Sequence, residues 1–422
     1  MLSRFLVVAA ALYAGYGVTS PYLPAFLAER GLGADQIGLA LAAGQGVRLA
    51  AGPLAGRLAD RRDAARGVLA ACALLSAVTA LAFLAGHGFA ALLVVGVAHA
   101  AATAPLAPLA DALALPAAAA GRFSYGLVRG AGSAAFIAGT LLAGAVTAWS
   151  GRPALLACGA AFFGLLALAA LRLPAGAARA AGIVDSASPG LLLRSAPFRR
   201  LVLVAALVVG SHAMHDAFAV IRWQAAGIGP GAASLLWAES VAAEVLVFTL
   251  AGPPLLDRLG PARALMLAGL AAAGRWAVEG ATAALPALAL IQALHGLTFA
   301  LLHLACMRVL LASVPPALAA TAQTLYGTLG LGLATTLTTL AAGPLYGRFG
   351  PAAFWAMALM ALAAVPLARG LRAPPGDALP GDALPGDALP GDALPGDALP
   401  GDALPGDALP GDAREGTARG GA

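Results

Sequence analysis

The sequence contains no lysine, and only 11% of its 422 residues are charged. A typical soluble domain has about 25% charged residues and about 45–50% apolar ones. This chain is 60% hydrophobic, so it has too few polar side chains to cover the surface of a soluble protein. A cytosolic enzyme is therefore disfavoured. The chain also lacks the patch of interleaved basic and aromatic residues that nucleic-acid binding requires, so we expect no nucleic-acid partner.

Cysteine is scarce as well. Cys72, Cys158 and Cys306 lie far apart in apolar runs, and their odd number and wide spacing argue against a disulfide framework or a zinc site. Metal-ligand clusters such as His-Glu-x-x-His and the Gly-x-Ser-x-Gly elbow are missing from the sequence. We therefore expect no metal site and no enzyme activity, which disfavours an integral-membrane enzyme.

Long apolar stretches recur along the chain, separated by short clusters of Arg, Asp, Gly and Pro. Runs of about 20 apolar residues fit transmembrane helices, whereas a β-barrel would show alternating segments about 10 residues long. The pattern predicts an all-α integral membrane protein that spans the lipid bilayer twelve times. The predicted spans lie near residues 4–27, 36–58, 67–86, 89–112, 123–148, 153–172, 199–222, 232–252, 264–283, 286–311, 319–345 and 351–369.

The arginines indicate the orientation of these spans. With the N-terminus inside, fifteen arginines fall in segments on its side of the membrane, and four fall on the other side, namely Arg30, Arg152, Arg222 and Arg348. Cytoplasmic loops carry an excess of basic residues. The bias predicts that both termini lie in the cytoplasm, which agrees with an even number of spans.

The two halves of the chain share landmarks at a nearly constant spacing. Offsets of 197, 201 and 198 residues relate Asp60-Arg61 to Asp257-Arg258, Tyr125-Gly126 to Tyr326-Gly327, and Pro153 to Pro351. Three such matches indicate a duplicated six-helix unit. We therefore predict two pseudo-symmetric six-helix bundles at residues 1–172 and 199–370, joined by a cytoplasmic central loop at 173–198.

Residues 371–422 form a different kind of segment. From Pro375 the unit Pro-Gly-Asp-Ala-Leu repeats seven times through Leu409. Proline and glycine in every unit prevent a helix, and the absence of aromatic residues leaves no core, so the sequence predicts a disordered acidic tail. The tail could be a docking segment or an expanded repeat in GC-rich coding sequence, and its composition favours the second.

The turn between spans 2 and 3 reads GRLADRRDAAR from Gly56 to Arg66. It resembles the signature loop of the major facilitator superfamily, although Asp63 stands where that family has a second Gly; the second copy keeps this Gly as Gly260. The resemblance implies that an Asp of this loop accepts hydrogen bonds and thereby stabilises one conformational state of a transporter. The alternative is an ordinary charged turn. The residues assigned to this conformational loop are Gly56, Asp60, Arg61, Asp257 and Arg258.

Longer strings resemble the 3-phenylpropionate transporter branch of that superfamily. They are PLAPLADALA from Pro105, YGLVRGAGS from Tyr125, and the stretches around His212, Trp223, Glu244, Arg275 and His303. The likeness covers about residues 1–370. At His215 and Asp216 the chain departs from the branch, which has tyrosines there.

This second resemblance implies a monomeric, proton-coupled importer in the bacterial inner membrane, related to the lactose permease and nucleoside symporter group. Its expected substrate is a small organic solute, such as the aromatic carboxylate phenylpropionate, and its expected driving force is the proton gradient with no bound cofactor. Antiporters of the superfamily carry a Gly-Pro motif in span 5. Span 5 of this chain has five glycines but no proline before Pro153, which favours import over the alternative, an efflux antiporter for hydrophobic molecules.

Ionisable side chains inside the spans are the candidate site residues, because such groups are costly in a membrane and usually face its protein interior. Asp111 and Arg129 are predicted at similar depth on neighbouring spans and could pair or jointly hold a substrate. Glu244 and Arg275 both lie near mid-span, which makes them expected partners. The predicted substrate-binding residues are Arg48, Asp111, Arg129, Arg275 and His295, and the predicted proton-coupling residues are Glu244, Asp216 and His303. For each histidine, the alternative is a hydrogen bond to a neighbouring helix.

Overall fold

The computed structural model describes residues 1–174, 189–315 and 318–371. The predicted tail from 372 onward and residues 175–188 of the predicted central loop lie outside the described residues. The described part is helical and contains no strand. Ten helical runs are long and apolar enough to cross a membrane, and two of them, Pro230–Ala281 and Ala319–Ala368, contain 52 and 50 residues. Each of these two runs turns once, at Gly260 and at Gly350, so the chain crosses twelve times as predicted.

Each crossing is numbered as a span. In chain order, spans 1 to 12 are Leu2–Glu29, Ala34–Arg62, Ala65–Ala85, Gly88–Ala119, Tyr125–Ser150, Pro153–Leu171, Ala196–Ala225, 230–259, 261–281, Leu285–Ser313, 319–349 and 350–368. A short helix at Pro189–Arg194 precedes span 7. The end of the molecule that carries residues 1 and 371 is called the terminus end, and the opposite end is called the far end.

Several spans are interrupted. Helices end at Thr19 in span 1 and at Thr103 in span 4, and resume at Leu23 and Leu106. Pro21 and Pro105 lie at these breaks, where a residue without a backbone N–H interrupts helical hydrogen bonding. Spans 8, 10 and 11 contain π-helical segments, at Val247–Ala251, Gly296–Leu301 and Tyr326–Leu333. Such segments are uncommon in proteins, but those that do occur are often found at functional sites.

The turn after span 2 contains an unusual backbone conformation. Asp63 ends the helix with φ 46° and ψ 43°, and within the described ranges it is the one residue other than glycine with a positive φ. Gly260, the matching position of the second half, also has a positive φ, of 72°. The backbone of this turn therefore favours glycine, and Asp63 occupies it at a steric cost.

Replacing Asp63 with glycine is expected to stabilise the protein by about 1 kcal/mol, because the left-handed conformation penalises a Cβ atom. The measurement is the apparent melting temperature of purified protein in detergent, followed by tryptophan fluorescence. Asp60→Gly is the matched control, since Asp60 lies within the same helix. It should lower the melting temperature, because glycine disfavours a helix interior. A fall in melting temperature for Asp63→Gly would contradict this account.

Both halves contribute to the contact at the far end. Spans 2 and 11 approach so closely that a Cβ atom on Gly38 would lie 2.7 Å from the Cα atom of Gly343. Spans 5 and 8 are equally close, and a Cβ on Gly144 would lie 2.8 Å from the Cβ of Ser234. The hydroxyl of Tyr22 donates to the Pro230 carbonyl at 2.8 Å. These contacts close the far end of the molecule.

At the terminus end, three polar contacts among the described residues each lie within one half. Arg4 donates to the Arg172 carbonyl at 2.9 Å, and Arg66 donates to the Leu173 carbonyl at 3.0 Å. In the second half Arg308 pairs with Asp257 at 2.6 Å. The conformation is therefore one in which the far end joins the two halves.

Large apolar side chains cover much of the outer surface. Leu290 is 72% exposed, Leu250 is 68% exposed and Val94 is 67% exposed. All three lie on helices that are long enough to span a bilayer. Lipid, unlike water, imposes no penalty on exposed leucine and valine. The surface fits a multi-pass membrane protein.

Candidate functional site

A cavity lies between the two halves, in the part of the spans nearer to the far end. Its empty volume is about 900 Å³, a figure that includes space open to the solvent. Leu23, Leu27, Phe83 and Leu92 form an apolar wall in the first half. Arg48 of span 2 and Asp216 of span 7 line the same cavity, so it holds two opposite formal charges, one from each half.

Arg48 is held in place by span 4. One guanidinium nitrogen, Nη2, donates to Thr103 Oγ1 at 2.7 Å, and the Thr103 backbone carbonyl accepts from the hydroxyl of Tyr16 at 2.7 Å. His99 also lines the cavity, and its Nδ1 lies 2.9 Å from Thr79 Oγ1 of span 3. The predicted substrate-binding residue Arg48 thus lies on the cavity wall in a fixed orientation.

A second polar group lies inside the C-terminal half, centred on Arg275 of span 9. Its Nη1 is 3.0 Å from His295 Nδ1 and 2.9 Å from Thr298 Oγ1, and its Nη2 donates to Gln292 Oε1 at 3.0 Å. His212 Nε2 lies 3.3 Å from the same Nη1. Arg275 is only 1% exposed. It therefore holds spans 7, 9 and 10 together.

Glu244 of span 8 joins this cluster through a histidine. Its Oε2 lies 3.2 Å from His295 Nε2, while the other ring nitrogen of His295 faces Arg275. These contacts require a tautomer in which Nε2–H donates to Glu244 and Nδ1 accepts from Arg275. The expected pair of Glu244 and Arg275 is thus connected through His295.

The approach of spans 8 and 10 depends on a glycine beside this histidine. A Cβ atom on Gly296 would lie 2.5 Å from the Ala243 carbonyl oxygen and 2.6 Å from a Val247 methyl group. Gly296 also begins the π-helical segment of span 10. The small residue permits close backbone contact, which brings His295 to Glu244.

His215 and Glu279 extend the cluster toward the far end. His215 Nδ1 lies 2.9 Å from Glu279 Oε2, and the His215 ring stacks on Trp237 with centroids 5.1 Å apart. Glu279 is 0% exposed. We name the whole set the buried polar cluster; its members are His212, His215, Glu244, Arg275, Glu279, Gln292, His295 and Thr298.

Five members of this cluster were not among the predicted site residues. They are His212, His215, Glu279, Gln292 and Thr298. Their spacing could have identified them, because Gln292, His295 and Thr298 follow one another at intervals of three along span 10. Residues three or four apart share one helix face. Arg275 and Glu279 obey the same rule on span 9.

The first half contains a third polar contact. Arg129 Nη1 lies 4.0 Å from Asp111 Oδ2, and these side chains are 15% and 14% exposed. The phenol of Tyr13 accepts a hydrogen bond from Arg129, and its ring lies 5.0 Å from the guanidinium carbon. The depth argument from the sequence predicted this proximity. Whether the pair binds substrate stays a prediction.

The remaining predicted residues lie elsewhere. His303 packs against the rings of Phe248 and Tyr326, with centroids 5.9 and 6.2 Å away. It is eight residues, about 12 Å along a helix, from His295, which explains its separation from the buried polar cluster. Gly56, Asp60 and Arg61 lie at the terminus end of span 2, and Asp257 and Arg258 lie at the corresponding end of span 8.

No group of three or more His, Cys, Asp or Glu side chains within residues 1–174, 189–315 and 318–371 is arranged to hold a metal ion. Arg48 and Asp216 line the cavity, and Glu244, Arg275 and Glu279 lie in the buried polar cluster. The arrangement is suited to holding a polar solute between the two halves and to keeping ionisable side chains buried inside the second half.

Comparison with known proteins agrees with this architecture. The sequence model of the MFS_1 like family matches residues 2–357. A curated relative from Escherichia coli (strain K12), named "Probable 3-phenylpropionic acid transporter", is 35% identical over 355 residues, which cover 83% of this chain and 92% of the relative. The maltose permease of Geobacillus stearothermophilus is 29% identical over 346 residues, covering 80% and 86% of the two chains.

A solved structure shares the fold. The crystal structure of the nucleoside transporter NupG superposes with a TM-score of 0.76 at 18% identity, covering 87% of this chain and 97% of that one. These relatives and the structural neighbour are transporters, and the chain is likewise a transporter of small molecules rather than an enzyme. The length of the family match and the identity to the curated relative show that this multi-pass membrane protein belongs to the MFS_1 like family of major facilitator superfamily transporters.

Proposed function

We propose that this transporter imports a small aromatic carboxylate together with protons across the bacterial inner membrane, by alternating access. The name of the 35%-identical relative refers to 3-phenylpropionic acid. The cavity offers an arginine, Arg48, beside an apolar wall, and arginine binds carboxylates through two parallel hydrogen bonds. An aromatic carboxylate has a carboxylate group that Arg48 could bind and an apolar ring that could pack against the apolar wall.

The charge of the buried polar cluster carries the proposal of proton coupling. With its histidines neutral, the cluster contains one cation, Arg275, and two carboxylates, Glu244 and Glu279, so its formal charge is −1. Glu244 and Glu279 are 2% and 0% exposed. An uncompensated charge is costly inside a membrane protein. One added proton, on the Glu244–His295 pair, makes the cluster neutral.

The geometry favours this pair as the site of the proton. His295 Nε2 and Glu244 Oε2 lie 3.2 Å apart, and His295 is 9% exposed, more than its buried neighbours. Asp216 and His303, the other predicted proton-coupling residues, lie on the cavity wall and beside Phe248 respectively. Transport would then alternate the charge of the cluster between neutral and −1 as the two halves rock about the cavity.

Glu244→Gln is expected to abolish proton-driven accumulation of radiolabelled 3-phenylpropionate in proteoliposomes, because a glutamine cannot take up and release the proton. Exchange of internal for external substrate requires no net proton movement, so it should persist in this variant. Glu239→Gln is the matched control: Glu239 lies one and a half turns earlier on the same helix and is only half-buried.

Three outcomes would contradict parts of the proposal. Wild-type accumulation in Glu244→Gln would exclude the coupling site. Movement of substrate out of the vesicles while protons move in would favour the efflux antiporter. Proton-driven uptake that persists unchanged in Arg129→Ala would remove Arg129 from the predicted substrate-binding residues.

A further inference from the structure

We infer that the solute binds in one orientation, with its carboxylate on Arg48 and its ring toward the far end, where Gly96 sets the size of the group that fits. This inference deepens the proposed function and rests on it, because it assigns a binding mode to the aromatic carboxylate. The observation behind it is that the residues lining the cavity change from polar to apolar along the axis of the molecule.

Spans 2 and 4 form one side of the cavity, and both begin at the far end, so they run in the same direction. Arg48 donates to Thr103 at 2.7 Å. One helical turn nearer the far end, a Cβ atom on Gly44 would lie 3.3 Å from the Ala100 Cβ. These two contacts fix the register of the spans. Gly96, one turn beyond Ala100, therefore lies farther still from Arg48, and all five residues line the cavity.

The polar end of the cavity is fixed at Arg48. The Thr103 hydroxyl that accepts from Arg48 donates its own proton to the His99 carbonyl at 2.8 Å, and the Thr103 carbonyl accepts from the hydroxyl of Tyr16 at 2.7 Å. Thr103 is 1% exposed. Because its hydroxyl and carbonyl are both committed, Thr103 holds the guanidinium in place, and a pre-organised guanidinium binds a carboxylate with little loss of side-chain entropy. Thr103 is therefore a positioning residue for carboxylate binding.

The apolar end of the cavity lies toward the far end. Span 3 ends at Ala85 and span 4 begins at Gly88, so Phe83 and Leu92 both lie within about one turn of the far end. A Cβ atom on Gly96 would lie 3.8 Å from Phe83 Cζ, which is an ordinary van der Waals contact. Gly96 therefore leaves room beside the Phe83 ring, where an aromatic solute can pack edge-to-face or offset.

Distances along span 4 agree with the length of an arylpropionate. Gly96 lies seven residues before Thr103, which is about 10 Å at 1.5 Å per residue. A carboxylate bound at the level of Thr103 places the ring of 3-phenylpropionate beside Gly44 and Ala100, and places a para substituent beside Gly96. The reverse orientation would bury the carboxylate against Phe83 and the other apolar side chains, where a charge without a hydrogen-bonding partner is costly.

Two isomers test this orientation, because they differ only in the position of one methyl group. The methyl group of 3-(4-methylphenyl)propionate points away from the carboxylate, and that of 3-(2-methylphenyl)propionate lies near it. Binding to the purified full-length protein is measured by competition with radiolabelled 3-phenylpropionate. Gly96→Val is expected to weaken binding of the 4-methyl isomer at least about tenfold, since one methylene group too many in an apolar pocket changes affinity by about 10–200-fold. It should affect the 2-methyl isomer little.

Gly164→Val is the matched control. Gly164 lies on span 6 and not on the cavity wall, and a Cβ atom there has no neighbour within 4 Å, so binding of both isomers should stay unchanged. Thr103→Val should weaken both isomers by the same factor, because it releases Arg48 without altering the surroundings of the ring. Thr103→Ser keeps the hydroxyl and should restore binding of both.

The outcome is separable from that of the proposed function. Equal weakening of the two isomers by Gly96→Val, stronger weakening of the 2-methyl isomer, or wild-type binding of both would overturn the inference while leaving import of an aromatic carboxylate intact. Discrimination between the isomers without proton-driven accumulation would support the inference and overturn proton coupling. Failure of all three acids to bind the wild-type protein would overturn both.

Discussion

Replacing Arg275 with methionine is expected to lower the free energy of unfolding by about 3–5 kcal/mol, the usual cost of removing one partner from a buried charged group. Methionine has a similar length but no charge. Its introduction would leave Glu244 and Glu279 without their cation, and would remove the hydrogen bonds to His295, Thr298 and Gln292. The measurement is the apparent melting temperature in detergent, together with the yield of folded protein.

A second substitution makes this result specific. Adding Glu279→Gln to the Arg275→Met variant removes one of the uncompensated carboxylates, so the double variant should be more stable than Arg275→Met alone. Such recovery is a property of charge balance and would not follow from a simple packing defect.

Arg308→Met is the matched control. Arg308 also forms an ion pair, but its side chain and that of Asp257 are 32% and 62% exposed. Exposed ion pairs contribute about 0–1 kcal/mol, so the control should change stability little. Equal destabilisation by Arg308→Met and Arg275→Met would show that the buried polar cluster is not a special source of stability.

Replacing Gly38 with leucine is expected to stop transport, because the far end could no longer close. The first atom of the new side chain would lie 2.7 Å from Gly343 Cα and 2.8 Å from Gly343 N. Both are backbone atoms, which cannot move aside without separating spans 2 and 11. Overpacking costs about 1–3 kcal/mol, and 3 kcal/mol corresponds to a shift of about a hundredfold in the population of the closed state.

The measurement combines uptake with distance. A spin label on each of two cysteines introduced at Glu29 and Gln224, on opposite halves at the far end, would report a longer distance in Gly38→Leu than in the parent protein. Gly52→Leu is the matched control on the same span, since a Cβ at Gly52 has no neighbour within 4 Å. Wild-type uptake by Gly38→Leu would show that far-end closure is not part of the transport cycle.

The sequence predicted the path of the chain better than the contacts within it. Hydropathy located twelve spans, and the repeat related Asp63 to Gly260, two turn positions that both have positive φ in the structure. Depth along antiparallel helices also predicted that Asp111 and Arg129 lie close together. These features depend on length, composition and local spacing, which a sequence contains directly.

The partner of Glu244 could not be predicted in the same way. Position along a helix gives the depth of a side chain in the membrane but not the direction in which a neighbouring helix presents its own residues. Glu244 and Arg275 lie at similar depth, yet His295 of a third span connects them. The π-helical segment that starts at Gly296 also changes the residue count per turn, and nothing in the hydropathy pattern predicts it.

The contacts that close the far end have a consequence for the surroundings in which the transporter works. Tyr22 donates to a backbone carbonyl, and Arg152 donates to the neutral amide of Gln224, while the remaining contacts are between glycine-lined helices. None of these cross-half contacts pairs two formal charges, because the far-end ion pair of Arg152 with Glu29 lies within the first half. Dissolved ions screen attraction between exposed charges, so high salt should weaken the pair of Arg152 and Glu29 but should leave the cross-half contacts themselves little changed.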